Sequence, residues 1–320
     1  MTLATPNDQR PERVLLTGGT GFIGGHLLSL MRSRGWSMTS LQRSPAPLPG
    51  VAETLHLPRW TPEGIRERLR GRTFDRVFHL AGSGVEPEQR DLETIFRINV
   101  DCLRALVESR PVSNLGAMII AGTSAEYRAT DMSCPIREDA PLTFASPYGA
   151  SKAAGSIAAL AIAGALGIRL CVVRIFGVFG PGEKAHRLLP SLVSGLQQRR
   201  RVNLSDGRQV RDFLHVDDVA AGLMAIAEAM IAKEAPTQHV VNLCTGHGVT
   251  VRQFAETVAD LMSAPRQLLG FGDLPRRPHE VPLLIGDVTG LRALTGWTPR
   301  YGLAEGIRAS LEELTLQPSR

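Results

Sequence analysis

The chain has no stretch approaching the roughly 18 uninterrupted apolar residues that a membrane span needs. Met1 to Arg13 has no apolar core of the kind a signal peptide carries, so it is expected to be a short polar lead-in. Four cysteines, Cys102, Cys134, Cys171 and Cys244, include no Cys-x-x-Cys pair. That excludes a zinc ribbon and gives no disulfide framework, so no metal is expected and a reducing cytoplasm is the expected compartment. The one dense basic run, Arg199-Arg200-Arg201, has no interleaved aromatics. Despite a net charge of +5, nucleic acid is therefore not an expected partner. No linker or internal repeat interrupts the 320 residues.

What remains is an ordinary globular composition, 43% hydrophobic and 21% charged. The apolar run Val14-Leu15-Leu16-Thr17 predicts a buried strand. An amphipathic pattern from Phe22 to Arg34, closed by Gly35, predicts a helix. Further strands are expected at Ser37 to Leu41, Val77 to Ala81, Ala117 to Ala121 and Leu170 to Ile175, with a helix from Leu92 to Glu108. Strands alternating with helices predict an α/β, Rossmann-type doubly wound parallel sheet. We expect residues 1–175 to form that domain. Residues 176–320, where prolines and glycines are frequent and strands short, should form a smaller substrate-binding lobe, with some segments returning to the sheet.

Between the first strand and helix lies Gly18-Gly19-Thr20-Gly21-Phe22-Ile23-Gly24. Gly18 permits a tight turn, Gly21 lets backbone approach a pyrophosphate, and Gly24 allows helix and strand to pack closely. The helix N-terminus would then favour the ligand's negative charge. NAD sites usually carry an acid at the end of the second strand, yet Leu41-Gln42-Arg43-Ser44 has none. Arg43 suits a 2′-phosphate, so NADP(H) is expected over NAD(H); a plain surface arginine at a strand end is the other reading.

Tyr148 and Lys152 are four residues apart and share a face if helical. A neighbouring ammonium lowers the pKa of a phenol, which is how tyrosine becomes a proton carrier. With the glycine turn and Ala121-Gly122-Thr123-Ser124-Ala125-Glu126-Tyr127, the chain resembles the extended short-chain dehydrogenase/reductase family, specifically its nucleotide-sugar branch. Other pieces follow in family order: His79-Leu80-Ala81-Gly82, Asn99-Val100, Arg211 to Val219 and Gly296-Trp297-Thr298-Pro299. The resemblance spans Val14 to about Leu311.

That resemblance implies a cofactor site at Gly18, Gly21, Phe22, Ile23, Gly24, Arg43, Leu80, Ala81, Gly82 and Asn99, with Tyr148 and Lys152. It implies that Tyr148 moves the proton and Lys152 bonds the nicotinamide ribose. Thr123 would hold the reacting oxygen, with Ser124 as the alternative one position on. Arg211 and Arg277 would clamp the diphosphate of a nucleotide-sugar substrate. A homodimer is also implied, through helices that include the one bearing Tyr148.

Departures narrow the reaction. The family usually places Asn where Gly177 follows Arg174-Ile175-Phe176. Dehydratases follow the threonine with an acidic pair, but here Ser124-Ala125 follows and Glu126 falls one place late. The expected activity is reduction of a nucleotide-linked 4-keto-6-deoxyhexose. A 4-epimerase with retained NAD, and a non-catalytic NADP-binding sensor, are the alternatives.

Overall fold

The computed structural model describes residues 11–86, 88–128, 134–232, 237–276 and 281–316. Its first elements are β1 (Arg13–Thr17), α1 (Phe22–Ser33), β2 (Ser37–Gln42), β3 (Glu53–His56), α2 (Pro62–Leu69) and β4 (Phe74–His79). Helix α3 (Leu92–Phe96) passes through a π-helical segment, Arg97–Cys102, into α4 (Leu103–Glu108); β5 (Val112–Thr123) follows. Next come α5 (Pro147–Leu166), β6 (Leu170–Ile175), β7 (Gly177–Phe179), α6 (Leu188–Gln197), β8 (Val202–Leu204) and β9 (Val210–His215). The chain continues through α7 (Val216–Met230), β10 (Gln238–Leu243), β11 (Gly248–Thr250) and α8 (Val251–Leu261). It ends with β12 (Leu269–Phe271), β13 (Leu283–Leu284), α9 (Thr289–Thr295) and α10 (Leu303–Leu316).

A seven-stranded sheet has the order β10-β6-β5-β4-β1-β2-β3. Every pairing from β5 to β3 is parallel, with Leu15 opposite Thr39 on one side and Val77 on the other. Helices on both faces of a parallel sheet bury its strands completely, which is why Val14, Leu15 and Leu16 form an unbroken apolar run. β6 falls where the periodicity predicts it. The strand expected at Val77 to Ala81 instead runs Phe74–His79, so Leu80 and Ala81 belong to the loop beyond it. Strand β3 and helix α2 carry little apolar periodicity. Helix α2 is nevertheless marked locally: Thr61 accepts a hydrogen bond from the Gly64 N–H, and Pro62 begins the first turn.

The chain divides into two compact units that interleave along the sequence. The first comprises Met1–Ala121, Ala154–Val172 and Ala227–His239; the second comprises Gly122–Ala153, Val173–Ile226 and Val240–Arg320. The core of the second gathers Phe179, Leu189, Leu192, Phe254, Val258 and Ile307. There Phe179 meets Phe254 edge-on at 5.3 Å between centroids, a favoured aromatic geometry. Helix α5 is the one described helix long and apolar enough to cross a membrane by length and composition. Its Ala153, Ala159 and Ala163 are buried and its Ser151, Lys152 and Ser156 are buried too, as in the core helix of a globular fold. All four cysteines are free thiols, and Cys134 is the exposed one.

Candidate active site

In the first unit, Gly18 stands at φ +75°, and a Cβ there would lie 2.7 Å from the Ala81 nitrogen. A Cβ on Gly24 would lie 2.1 Å from the Gly18 carbonyl oxygen, so helix α1 sits directly on the turn. Gly21 is the N-cap of α1 and has no side-chain cap, and no acidic residue occupies the first turn. Backbone N–H groups with neither a cap nor a negative charge beside them suit an anion. These residues fit the pyrophosphate of a dinucleotide. Phe22 and Ile23 lie half-buried in the same first turn.

The loop beyond β4 is fixed from below. The Thr17 hydroxyl meets the His79 ring nitrogen at 2.9 Å and accepts from the Ala81 N–H at 3.2 Å. Asn99, fully buried, accepts from the Ser83 N–H at 2.9 Å and donates to the Ser83 carbonyl at 2.8 Å. It therefore clamps the loop that carries Leu80, Ala81 and Gly82. Asn99 lies in the π-helical segment, whose wider turn is a common feature of functional sites. Its carbonyl lies where a Cβ on Gly155 would be 2.1 Å away, so only glycine fits at that point of α5.

At the end of β2, the place of the usual acid holds Gln42. Its amide donates to the carbonyls of Ser44 and Ala46 and accepts from the Ser40 hydroxyl, folding the loop rather than reaching outward. Arg43 beside it is exposed.

In the second unit, Thr123 is the N-cap of a short 3-10 turn, Ser124–Glu126. The Thr123 N–H donates to Glu126 at 2.9 Å, while the Thr123 hydroxyl accepts from the Ala125 N–H at 3.2 Å. A Cβ on Gly149 would lie 2.3 Å from the Ala125 carbonyl oxygen. The glycine after Tyr148 thus lets the start of α5 press onto this turn, and Tyr148 comes within hydrogen-bonding reach of Thr123. Burial pushes the phenol up to about 12, opposed by the Thr123 hydroxyl and the Arg187 guanidinium and assisted by the Glu126 charge. Burial also lowers the Lys152 ammonium, and Glu126 opposes that shift. Ser124, the alternative register, is buried within the turn.

Glu126 is held in place. It is buried and receives the Arg174 guanidinium of β6 at 3.0 Å in addition to the Thr123 N–H. Arg174 lies over the Tyr127 ring at 4.6 Å and donates to the Glu138 carbonyl at 2.9 Å. Tyr127 donates to Asn242 at 2.5 Å, which in turn donates to the Ile136 carbonyl. Asn242 therefore closes a buried polar network beneath the Thr123 turn.

Glu183 and Arg187 carried no signal in the sequence. Both lie between β7 and α6. Glu183 is 7% exposed and 3.9 Å from the Arg187 guanidinium, and burial pushes its carboxyl up to about 7. The unfolded chain releases this proton near 4.5. Its contribution to stability is therefore complete below that value and is lost as pH rises to about 7. We expect wild type to lose roughly 3 kcal/mol relative to Glu183→Gln across that window. Denaturant unfolding of both proteins at several pH values checks it.

The remaining expected residues fall as follows. Arg211, on β9, donates to the carbonyls of Val210 and Val281, both at 2.8 Å. Arg277 lies outside the described residues. Gly177 opens β7, and a Cβ there would be 2.7 Å from the Asp212 carbonyl oxygen, so asparagine does not fit without movement of the strand. Thr245 and Gly246 serve Asp212: the carboxylate accepts both backbone N–H groups and the Thr245 hydroxyl.

A parallel doubly wound sheet with a glycine turn after β1, and a tyrosine and lysine one turn apart on a helix, places the protein in the extended short-chain dehydrogenase/reductase class. Within that class the chain belongs to the NAD dependent epimerase/dehydratase family, whose profile matches residues 14–244. Relatives are similar over nearly the whole length. A UDP-glucose 4-epimerase of Azospirillum brasilense is 28% identical, covering 92% of this chain and 89% of the relative. A dTDP-6-deoxy-L-talose 4-dehydrogenase (NAD(P)(+)) of Kitasatospora kifunensis is 29% identical, covering 93% and 94%. Among solved structures, MoeE5 in complex with UDP-glucuronic acid and NAD is 28% identical, with a TM-score of 0.81 over 95% of this chain and 99% of that one.

Proposed function

We propose that the protein reduces a nucleotide-linked 4-keto-6-deoxyhexose to the 4-hydroxy sugar, using NADP(H) in preference to NAD(H). The observation that carries this is the state of the catalytic turn. The Thr123 hydroxyl lies close enough to Tyr148 to lower the pKa of its phenol, while the carboxylate of the same turn, Glu126, is committed to Arg174 and to backbone. Water elimination needs a second acid–base group, and Glu126 is not available for it. Carbonyl reduction needs only a proton donor, and Tyr148 keeps its proton at neutral pH because its phenol is held up to about 12.

The glycine turn, Leu80 to Gly82 and Arg43 would hold the nicotinamide cofactor, which supplies the hydride when bound. The Thr123 hydroxyl orients the substrate's carbonyl oxygen, and Tyr148 delivers a proton to it. Lys152 supplies positive charge that eases loss of that proton, as well as a donor for the nicotinamide ribose. Arg211 and Arg277 would face the diphosphate. The resemblance to a 4-dehydrogenase acting at the same sugar carbon supports this reading. The resemblance to a 4-epimerase, and NAD in the MoeE5 complex, favour a second reading in which cofactor stays bound and C4 is inverted.

The test is cofactor consumption across a panel of dTDP-, GDP-, CDP- and UDP-linked 4-keto-6-deoxy sugars, with NMR of the products. Stoichiometric loss of NADPH is expected. Interconversion of 4-hydroxy sugars without net cofactor loss would establish the epimerase instead. Cofactor choice has its own test: Arg43→Asp should weaken NADPH binding about tenfold or more and leave NADH within about twofold, measured by fluorescence titration. Equal effects on both would make Arg43 a surface residue. We also propose a homodimer, supported by the exposed apolar side chains of Leu92 and Phe96 on α3 and Ile157 on α5. Sedimentation equilibrium giving the monomer mass alone would remove it.

A further inference from the structure

Glu126 takes no proton in the reaction proposed above, yet both residues that act there are fastened through it. Thr123 is the last residue of β5, and its N–H is accepted by the Glu126 carboxylate at 2.9 Å. The Glu126 carbonyl accepts from the Thr143 N–H at 2.7 Å. Thr143 belongs to the loop that enters α5, and its methyl would lie 2.8 Å from a Cβ on Gly149, the residue after Tyr148. One residue thus ties down Thr123 through its side chain and the start of α5 through its backbone. Behind it, Arg174 donates to the other carboxylate oxygen at 3.0 Å, and both side chains are buried. Hydrogen bonds to an ionised acceptor are about twice as strong as neutral ones, and the guanidinium keeps this acceptor from turning away.

The consequence falls on the Thr123 hydroxyl. Its oxygen accepts from the Ala125 N–H at 3.2 Å, which engages one lone pair from the side of the turn. A threonine hydroxyl carries one proton, and with the oxygen engaged from the turn that proton is left to point away from it. The direction in which Thr123 donates is therefore set by how the turn is held, and the Glu126 side chain holds it.

We propose that Glu126 is a positioning residue: backed by Arg174, it fixes the Thr123 hydroxyl so that its proton is donated to the reacting oxygen of the sugar. This rests on the role given to Thr123 above. It does not depend on the choice between reduction and epimerisation, since both need that oxygen held.

The experiment compares two double variants, Arg174→Met with Glu126→Gln and Arg174→Met with Glu126→Leu. Each removes the whole buried ion pair and keeps similar volume, so neither leaves an uncompensated charge and both should fold. Glutamine keeps an acceptor oxygen for the Thr123 N–H; leucine offers none. Turnover is measured on the panel sugar that wild type converts best, as NADPH oxidation or as interconversion of 4-hydroxy sugars, with urea unfolding alongside. The glutamine double should have a kcat about 10- to 100-fold above that of the leucine double, up to the cost of a displacement of about 1 Å at the reacting atoms, with KM for NADPH equal within about twofold. In a Thr123→Val background the two doubles should be equally slow, because the hydroxyl they position is gone. Equal kcat in two folded doubles overturns the proposal, and so does a difference that persists without the Thr123 hydroxyl. A leucine double that fails to fold beside a folded glutamine double makes Glu126 structural, and the proposal falls. If wild type converts no member of the panel, the role of Thr123 falls and takes the proposal with it.

Discussion

Replacing Tyr148 by Phe should lower turnover by about 10²- to 10⁴-fold while cofactor affinity stays within about twofold. The phenyl ring keeps its place on α5, and Gly149 still lets the helix press on the Ala125 carbonyl, so the packing survives. What disappears is the phenol's proton, together with the oxygen on which Thr123 acts. Steady-state kinetics beside a cofactor titration separates the two effects. Retained turnover would mean another group carries the proton. An unchanged cellular or binding activity would point instead to a non-catalytic sensor.

Arg174→Met should be the most damaging change to stability in the second unit. It leaves the Glu126 carboxylate fully buried without its guanidinium, and it removes the cation above the Tyr127 ring and a donor to the Glu138 carbonyl. Breaking one side of a buried pair typically costs about 3–5 kcal/mol, because the remaining charge stays uncompensated. The double variant Arg174→Met with Glu126→Gln should recover part of the loss, since a neutral amide tolerates burial better. Urea unfolding of the single and double variants reads both numbers. A single-variant loss below about 1 kcal/mol would show that water reaches Glu126 and that the pair is not a buried one.

The glycine turn after β1 was readable because local rules govern it. A strand that must be apolar, a glycine that must adopt positive φ at Gly18, and a helix beginning at Phe22 are all written in consecutive residues. Tyr148 and Lys152 were readable for the same reason, since one helical turn fixes their spacing. The partnership of Glu126 with Arg174 was not, because it joins positions 48 residues apart on different elements. Glu126 looked like a displaced catalytic acid; only the fold shows that Arg174 and the Thr123 N–H occupy both its oxygens. Arg187 and Glu183 belong to no periodic pattern, and their significance comes from burial and from the nearness of Arg187 to Tyr148. Gly177 stood out as a departure from the family's asparagine, and packing against Asp212 explains it.

The most direct measurement is isotope transfer from NADPH carrying deuterium at the reactive carbon of its nicotinamide, with a nucleotide-linked 4-keto-6-deoxyhexose as acceptor. One deuterium at C4 of the product per cofactor oxidised is the result this account predicts. Product without deuterium, or inverted sugar formed with no cofactor oxidised, would contradict it.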